Sequence, residues 1–207
     1  RDQPRSRGLG DVYKKQARQF HDIYIINLET GERRQIKEKS PSYMRFSPKG
    51  KYTYWYQDQD SSWYTRSTAD GKEYRLTTPQ TFAAWDEDND VPDYPSPYGI
   101  AGWTDDDQSI LIKDRYDIWK FDPIAASSPV NLTVNGRKEQ ITYSLIQLDR
   151  EKRAYNTSEA QYLTGFNERT KGSGYYTTRL NKPVAPKALL AGNFKLAALA
   201  LSLIHIS

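Results

Sequence analysis

Along most of the chain, apolar and polar residues alternate in short runs broken by turn residues, the period-two pattern of strands with unlike faces. Ile23-Tyr-Ile-Ile-Asn-Leu28 runs into Glu29-Thr-Gly31 and then Glu32-Arg-Arg-Gln-Ile36, which predicts a hairpin. Strands follow near residues 42–47, 51–57, 62–67 and 73–77, separated by Ser47-Pro-Lys-Gly50, Gln57-Asp-Gln-Asp-Ser61 and Ala69-Asp-Gly71. A second set is predicted near 98–103, 108–113, 116–121 and 130–134. A third set starts with Ile141-Thr-Tyr-Ser-Leu-Ile-Gln-Leu148 and continues through Arg153-Ala-Tyr-Asn-Thr157 and Gly174-Tyr-Tyr-Thr-Thr-Arg-Leu180 to Lys187-Ala-Leu-Leu190. Between Pro79 and Pro97 the acidic, proline-bearing run Trp85-Asp-Glu-Asp-Asn-Asp-Val-Pro-Asp-Tyr-Pro-Ser-Pro97 is too polar for a central strand and reads as an inserted loop.

The sets are related. Met44-Arg-Phe-Ser-Pro-Lys-Gly-Lys-Tyr-Thr-Tyr54 returns 57 residues later as Ala101-Gly-Trp-Thr-Asp-Asp-Asp-Gln-Ser-Ile-Leu111, each copy a strand end, a polar turn and a second strand. Self-similarity at this period with four strands per unit predicts an all-β chain forming a partial β-propeller. It has about three and a half four-stranded antiparallel blades: a half blade at 22–37 and blades at 42–78, 98–134 and 140–191, within a propeller region spanning 21–200. Residues 1–20 form a polar, basic lead. Closed rings have roughly four to eight blades, so a slice of a larger ring is expected, with apolar faces left open.

Composition sharpens this picture in one respect. The apolar content is 37% and mean hydropathy is −0.86, but 16 Tyr, 6 Phe and 5 Trp supply enough aromatic surface to build a core. The net charge of +4 is scattered without a basic run, which argues for a solvated surface and against nucleic-acid binding. With no cysteine, disulfides and cysteine-rich zinc sites are excluded. The chain begins at Arg1 rather than Met, which points to a start upstream. Leu201-Ser-Leu-Ile-His-Ile-Ser207 breaks from the pattern and resembles translated sequencing-adapter DNA, so the tail 201–207 is expected to be artefactual and His205 to carry no role.

The candidate chemistry is sparse. No Gly-x-Ser-x-Gly elbow is present, and Lys171-Gly-Ser-Gly174 falls in a predicted hairpin turn. Only two histidines occur, His21 and His205, too few for a histidine-rich metal site or a convincing triad. Asp86, Glu87, Asp88, Asp90 and Asp93 lack the spacing of a calcium loop and read as a solvated acidic loop. Asp105-Asp-Asp107 takes the turn position of Pro48-Lys-Gly50, and Asp149 and Glu151 also fall in a turn. Tyr52, Tyr54, Trp55, Tyr56, Trp63, Tyr64, Trp103 and Trp119 read as packing between neighbouring blades rather than a sugar- or nucleic-acid-stacking face. Asn131-Leu-Thr133 and Asn156-Thr-Ser158 match the glycosylation acceptor pattern, which matters only in a eukaryotic secretory setting. No catalytic, cofactor-binding or metal-ligating residue is assigned, and no cofactor is expected.

Several segments carry a family resemblance. Phe46-Ser-Pro-Lys-Gly-Lys51 resembles the blade turn of TolB-like propeller repeats. Trp85-Asp-Glu-Asp-Asn-Asp90, Tyr98-Gly-Ile-Ala-Gly-Trp103, Asp114-Arg-Tyr-Asp-Ile-Trp-Lys-Phe-Asp-Pro123 and Gly165-Phe-Asn-Glu-Arg-Thr-Lys171 resemble the N-terminal propeller of bacterial serine peptidases of the prolyl oligopeptidase family. The resemblance covers about residues 20–200. It implies a propeller that restricts peptide access to a C-terminal α/β-hydrolase domain of the same polypeptide, in a periplasmic or secreted protein without a membrane-spanning segment here. None of the family's triad positions maps onto this chain, and the paired glutamates of dipeptidyl-peptidase members have no counterpart. The rival expectation is a non-enzymatic TolB-like propeller that binds a protein or glycan.

Overall fold

The computed structural model describes residues 20–40, 42–149, 151–193 and 196. The polar lead, apart from residue 20, and the 201–207 tail lie outside the described residues. The described chain is all-β, with four antiparallel sheets of two to four strands and a single short α-helix, α1 (Gly136–Glu139). None of its helices is long and apolar enough to cross a membrane. It divides between Tyr43 and Met44 into two compact units.

The first unit holds the predicted hairpin, β1 (His21–Ile26) against β2 (Arg33–Ser40). Its turn closes because the Asn27 side-chain oxygen accepts the backbone N–H groups of Glu29 and Thr30 at 2.9 and 3.2 Å. Gly31 then takes φ +72°, open to glycine at no steric cost. Within this unit the His21 ring lies 4.4 Å from that of Tyr43.

The second unit contains three four-stranded sheets, each an up-and-down meander in chain order. The first is β3 (Arg45–Phe46), β4 (Tyr52–Gln57), β5 (Ser62–Ser67) and β6 (Glu73–Arg75). The second is β7 (Ile100–Trp103), β8 (Ile110–Lys113), β9 (Ile118–Phe121) and β10 (Val130–Asn131). The third is β11 (Ile141–Leu145), β12 (Gln161–Asn167), β13 (Ser173–Thr178) and β14 (Lys187–Gly192).

In the first two sheets the strands fall where the turn residues place them. In the third, the expectation for 153–157 is corrected: this segment is not a strand, and the second strand is β12. The alternation is clean in β12, where Leu163 and Gly165 point inward while Tyr162, Thr164 and Phe166 are exposed, and in β13, where Gly174, Tyr176 and Thr178 are buried. Asn167, the last residue of β12, plays the part of Asn27 after β1, accepting the N–H groups of Arg169 and Thr170 at 3.0 and 2.9 Å. Lys171, at φ +60°, stands where the earlier hairpin has glycine. Tyr155 instead makes an isolated parallel bridge to Thr104 in the second sheet.

The sheets pack face to face in chain order. Ile110 and Ile112 of β8, with Trp103 and Phe121, meet Tyr54, Tyr56 and Trp63 of the first sheet. Leu111 between them points the other way and, with Ile118, meets Tyr143, Leu163 and Tyr176 of the third. The middle sheet is thus buried on both faces by the period-two geometry of a strand.

The third sheet has an open face. Tyr162, Phe166 and Leu190 are 37, 42 and 52% exposed, and register places Leu190 beside Tyr175 on that side. Exposed large apolar side chains on a sheet face favour association with others of their kind. The chain is therefore expected to self-associate with concentration in sedimentation velocity, and Phe166→Lys with Leu190→Lys to shift it toward monomer. A monodisperse wild-type monomer at all concentrations would contradict this.

Candidate functional site

In an up-and-down sheet of four strands, the second turn and both chain ends lie at one end. Topology therefore gathers there, alongside the β4–β5 turn at 58–61, the 85–97 loop between β6 and β7, the β8–β9 turn at 114–117, the α1 connection between β10 and β11, and the β12–β13 turn at 168–172. Two arginines tie the last four together. Arg115 Nη1 donates to Asp88 Oδ1 at 2.7 Å, while its Nε and Nη2 donate to Glu168 Oε1 and Oε2 at 3.3 and 3.1 Å. Arg137 Nη1 and Nη2 donate to the two Glu87 oxygens at 3.3 and 3.0 Å, with Asp114 Oδ2 3.6 Å away. Both guanidinium carbons sit 5.3 Å from the centre of the Tyr116 ring. The Tyr116 hydroxyl donates to Glu168 Oε2 at 2.8 Å.

Burial works against the ionised Glu168 carboxylate, but the hydrogen bonds from Tyr116 and Arg115 outweigh it and hold the carboxyl below its ordinary value. Its contribution to stability is therefore present above the usual glutamate range and is lost as pH falls through the lowered value. The same carboxylates hold the Arg115 and Arg137 guanidiniums above their ordinary value.

Two buried aspartates lie beneath the arginines. Asp114 Oδ1 closes the turn by accepting the N–H groups of Tyr116 and Asp117 at 2.8 and 2.6 Å, and Asp114 Oδ2 accepts Trp119 Nε1–H at 3.2 Å. Burial pushes its carboxyl up, against these donors and Arg137. Asp117 accepts the Thr133 hydroxyl at 2.6 Å and the N–H groups of Gly136 and Arg137 at 2.9 and 3.1 Å. Thr133 Oγ1 in turn accepts Ile118 N–H at 3.1 Å, and the first sheet repeats this with Thr77 and Trp63 N–H at 2.9 Å. Both threonines follow a leucine after the fourth strand, which gives the sequence repeat a structural counterpart.

At the other end of the sheets, Asp107, only 2% exposed, crosses from the second sheet to the first. It accepts the Ser47 hydroxyl and the N–H groups of Lys49 and Lys51, the last two at 3.1 and 3.2 Å. Asp105 N–H donates to Tyr155 O at 3.1 Å, so the third sheet's long loop is bonded to the second sheet's turn.

No protein-family model matches the chain, and no curated protein matches it.

Three of the segments singled out by resemblance, at 85–90, 114–123 and 165–171, meet at the arginine network. Arg115, Arg137 and Glu168 were not identified from sequence as site residues. The acidic loop is not simply solvated: Glu87 and Asp88 are paired, and Asp86 Oδ1 accepts Asp88 N–H at 3.1 Å. Among the described residues no group of three or more His, Cys, Asp or Glu side chains converges to hold a metal ion. Tyr54, Tyr56, Trp63 and Trp103 pack between sheets, while Trp55 and Tyr64 stack on each other 5.4 Å apart. The Tyr64 hydroxyl donates to Asp60, and burial with this bond pushes its pKa up to about 12. The glycosylation pattern at Asn131 is structural, because its Thr133 hydroxyl is fully buried on Asp117. Two open depressions of about 160 and 280 Å³ lie one beside Asp149 and Glu159, with Ile146, Leu148 and Tyr155 in its lining, and the other beside Lys120 and Asp122. What the arginine network does is fix connections against one another.

Proposed function

We propose that this chain is a non-catalytic stretch of a β-propeller, about three and a half blades long, in a serine peptidase of the prolyl oligopeptidase family. Its role is to gate peptide access to a C-terminal α/β-hydrolase domain of the same polypeptide and to support that domain. The observation that carries this reading is the stacking of three consecutive four-stranded meanders, the middle one covered on both faces. Stacking of this kind extends from unit to unit, as it does in blades around a ring. The open face on the third sheet is suited to receive a further unit. The likeness of the 85–90, 114–123 and 165–171 segments to that peptidase family supplies the activity, and their meeting at one end of the sheets gives the likeness a shared location.

The intact polypeptide is the test. It is expected to hydrolyse short chromogenic peptides, to be labelled by a fluorophosphonate on a serine outside residues 1–207, and to lose activity on labelling. A polypeptide whose sheets close into a ring, with no labelled serine and no hydrolysis, would reject the reading in favour of a propeller that binds a protein or glycan.

A further inference from the structure

We propose that Lys113 is the lysine of this chain whose amine reacts first with small activated acyl donors, acyl phosphates and thioesters, at neutral pH. Lys113 ends β8, and register pairs it with Ile118 of β9. Alternation along β8 sends Ile110 and Ile112 toward the first sheet, so Lys113 falls on the side of Leu111, which meets the third. Leu111 and Ile118 are fully buried there, and Ile141 at the start of β11 packs against their cluster. The lysine therefore stands at the margin of an apolar seam, half-buried between the buried residues Ile112 and Asp114.

No counter-charge accompanies it. Among the described residues no hydrogen bond or ion pair reaches Lys113 Nζ, whereas Lys51 Nζ donates to Asp106 O at 2.8 Å and Arg115 and Arg137 are held by carboxylates. The carboxylates that follow in the chain are turned elsewhere. Asp114 accepts two backbone N–H groups and Trp119 Nε1–H and faces Arg137, and Asp117 accepts the Thr133 hydroxyl and the N–H groups of Gly136 and Arg137. On β11, the Tyr143 hydroxyl donates to Asn135 at 3.2 Å. A half-buried ammonium without a partner gives up its proton more readily, and burial pushes the Lys113 pKa down. The neutral amine is the nucleophile. Its lone pair adds to the acyl carbon and the N–C bond forms. The C–O or C–S bond then breaks, phosphate or thiolate leaves, and the proton on nitrogen passes to water. The product is an uncharged amide, which suits the same apolar margin.

Acetylation of the full chain by acetyl phosphate, followed site by site with peptide mass spectrometry, tests this. At pH 7 Lys113 is expected to react roughly 3- to 10-fold faster than the exposed Lys49, Lys138 and Lys171. The excess should shrink at about pH 10, near the ordinary lysine value, where the exposed amines are also partly neutral. In urea the four should react alike. Lys113→Met keeps an apolar stem, removes the label and should leave the melting temperature unchanged. Reaction at Lys113 no faster than at the exposed lysines at pH 7 would overturn the proposal. An excess that persists in urea would overturn it too, because it would belong to the local sequence rather than to the fold. So would a drop in melting temperature for Lys113→Met, which would reveal a partner for the ammonium.

Discussion

Asp107→Ala is expected to destabilise the second unit by about 3 kcal/mol, because it strips the shared acceptor from one buried and two partly buried donors on the neighbouring sheet. Ser47 Oγ and the N–H groups of Lys49 and Lys51 all converge on this carboxylate, and Ser47 is itself buried. The alanine must also hold φ +55°, a region Asp and Asn tolerate better. Thermal unfolding should fall by about 6–12 °C. Asp107→Asn keeps one acceptor oxygen and the backbone preference, so its loss should be intermediate. Asp105→Ala, two residues away and exposed, should stay within about 0.5 kcal/mol of wild type. Equal melting of Asp105→Ala and Asp107→Ala would show that the carboxylate does not join the sheets.

Gly102→Ala is expected to cost about 2–4 kcal/mol. Gly102 sits at φ +146° in β7, in a conformation that strains any L side chain. A Cβ there would lie 2.6 Å from Cε2 of the Tyr155 ring, which fills the space against β7. Tyr155 is buried, and its N–H donates to Trp103 O at 2.8 Å, so its backbone is held while its ring is displaced. Tyr155→Ala removes the clash at the cost of a cavity. In a double-mutant cycle by urea unfolding, the pair should be less destabilised than the sum of the singles by at least about 1 kcal/mol. Strict additivity would mean that the ring does not sit over Gly102.

The turn chemistry made most of the fold legible. Ser47-Pro-Lys-Gly50, Ala69-Asp-Gly71 and Glu29-Thr-Gly31 each punctuate strands where the structure has hairpins, and β-branched and aromatic alternation fills the intervals. The third sheet misled because Tyr155 sits among polar residues that mimic a short alternating strand. Its ring is buried, but by a loop crossing to the second sheet, a contact over 50 residues away that no local pattern encodes. The same limit hid the connecting residues. Asp107 reads as a turn aspartate, since nothing near it in sequence indicates that its partners are at 47–51. Arg137, in Asn135-Gly-Arg-Lys-Glu139, looks like any surface arginine until topology brings the 85–97 loop beside it. Glu168 and Arg115 lay within segments noticed for their resemblance, but their pairing depends on two turns of different sheets sharing an end.

The account turns on whether three meanders stand as successive wedges rather than as parts of one wrapped sheet. An electron cryo-microscopy structure of the intact polypeptide measures this directly. It should show β3, β7 and β11 lining a common axis, β6, β10 and β14 at the rim, and another four-stranded sheet seated on Tyr162, Phe166 and Leu190. Hydrogen bonding between strands of different sheets to form one continuous surface, or a third-sheet face left facing solvent in the whole protein, would contradict it.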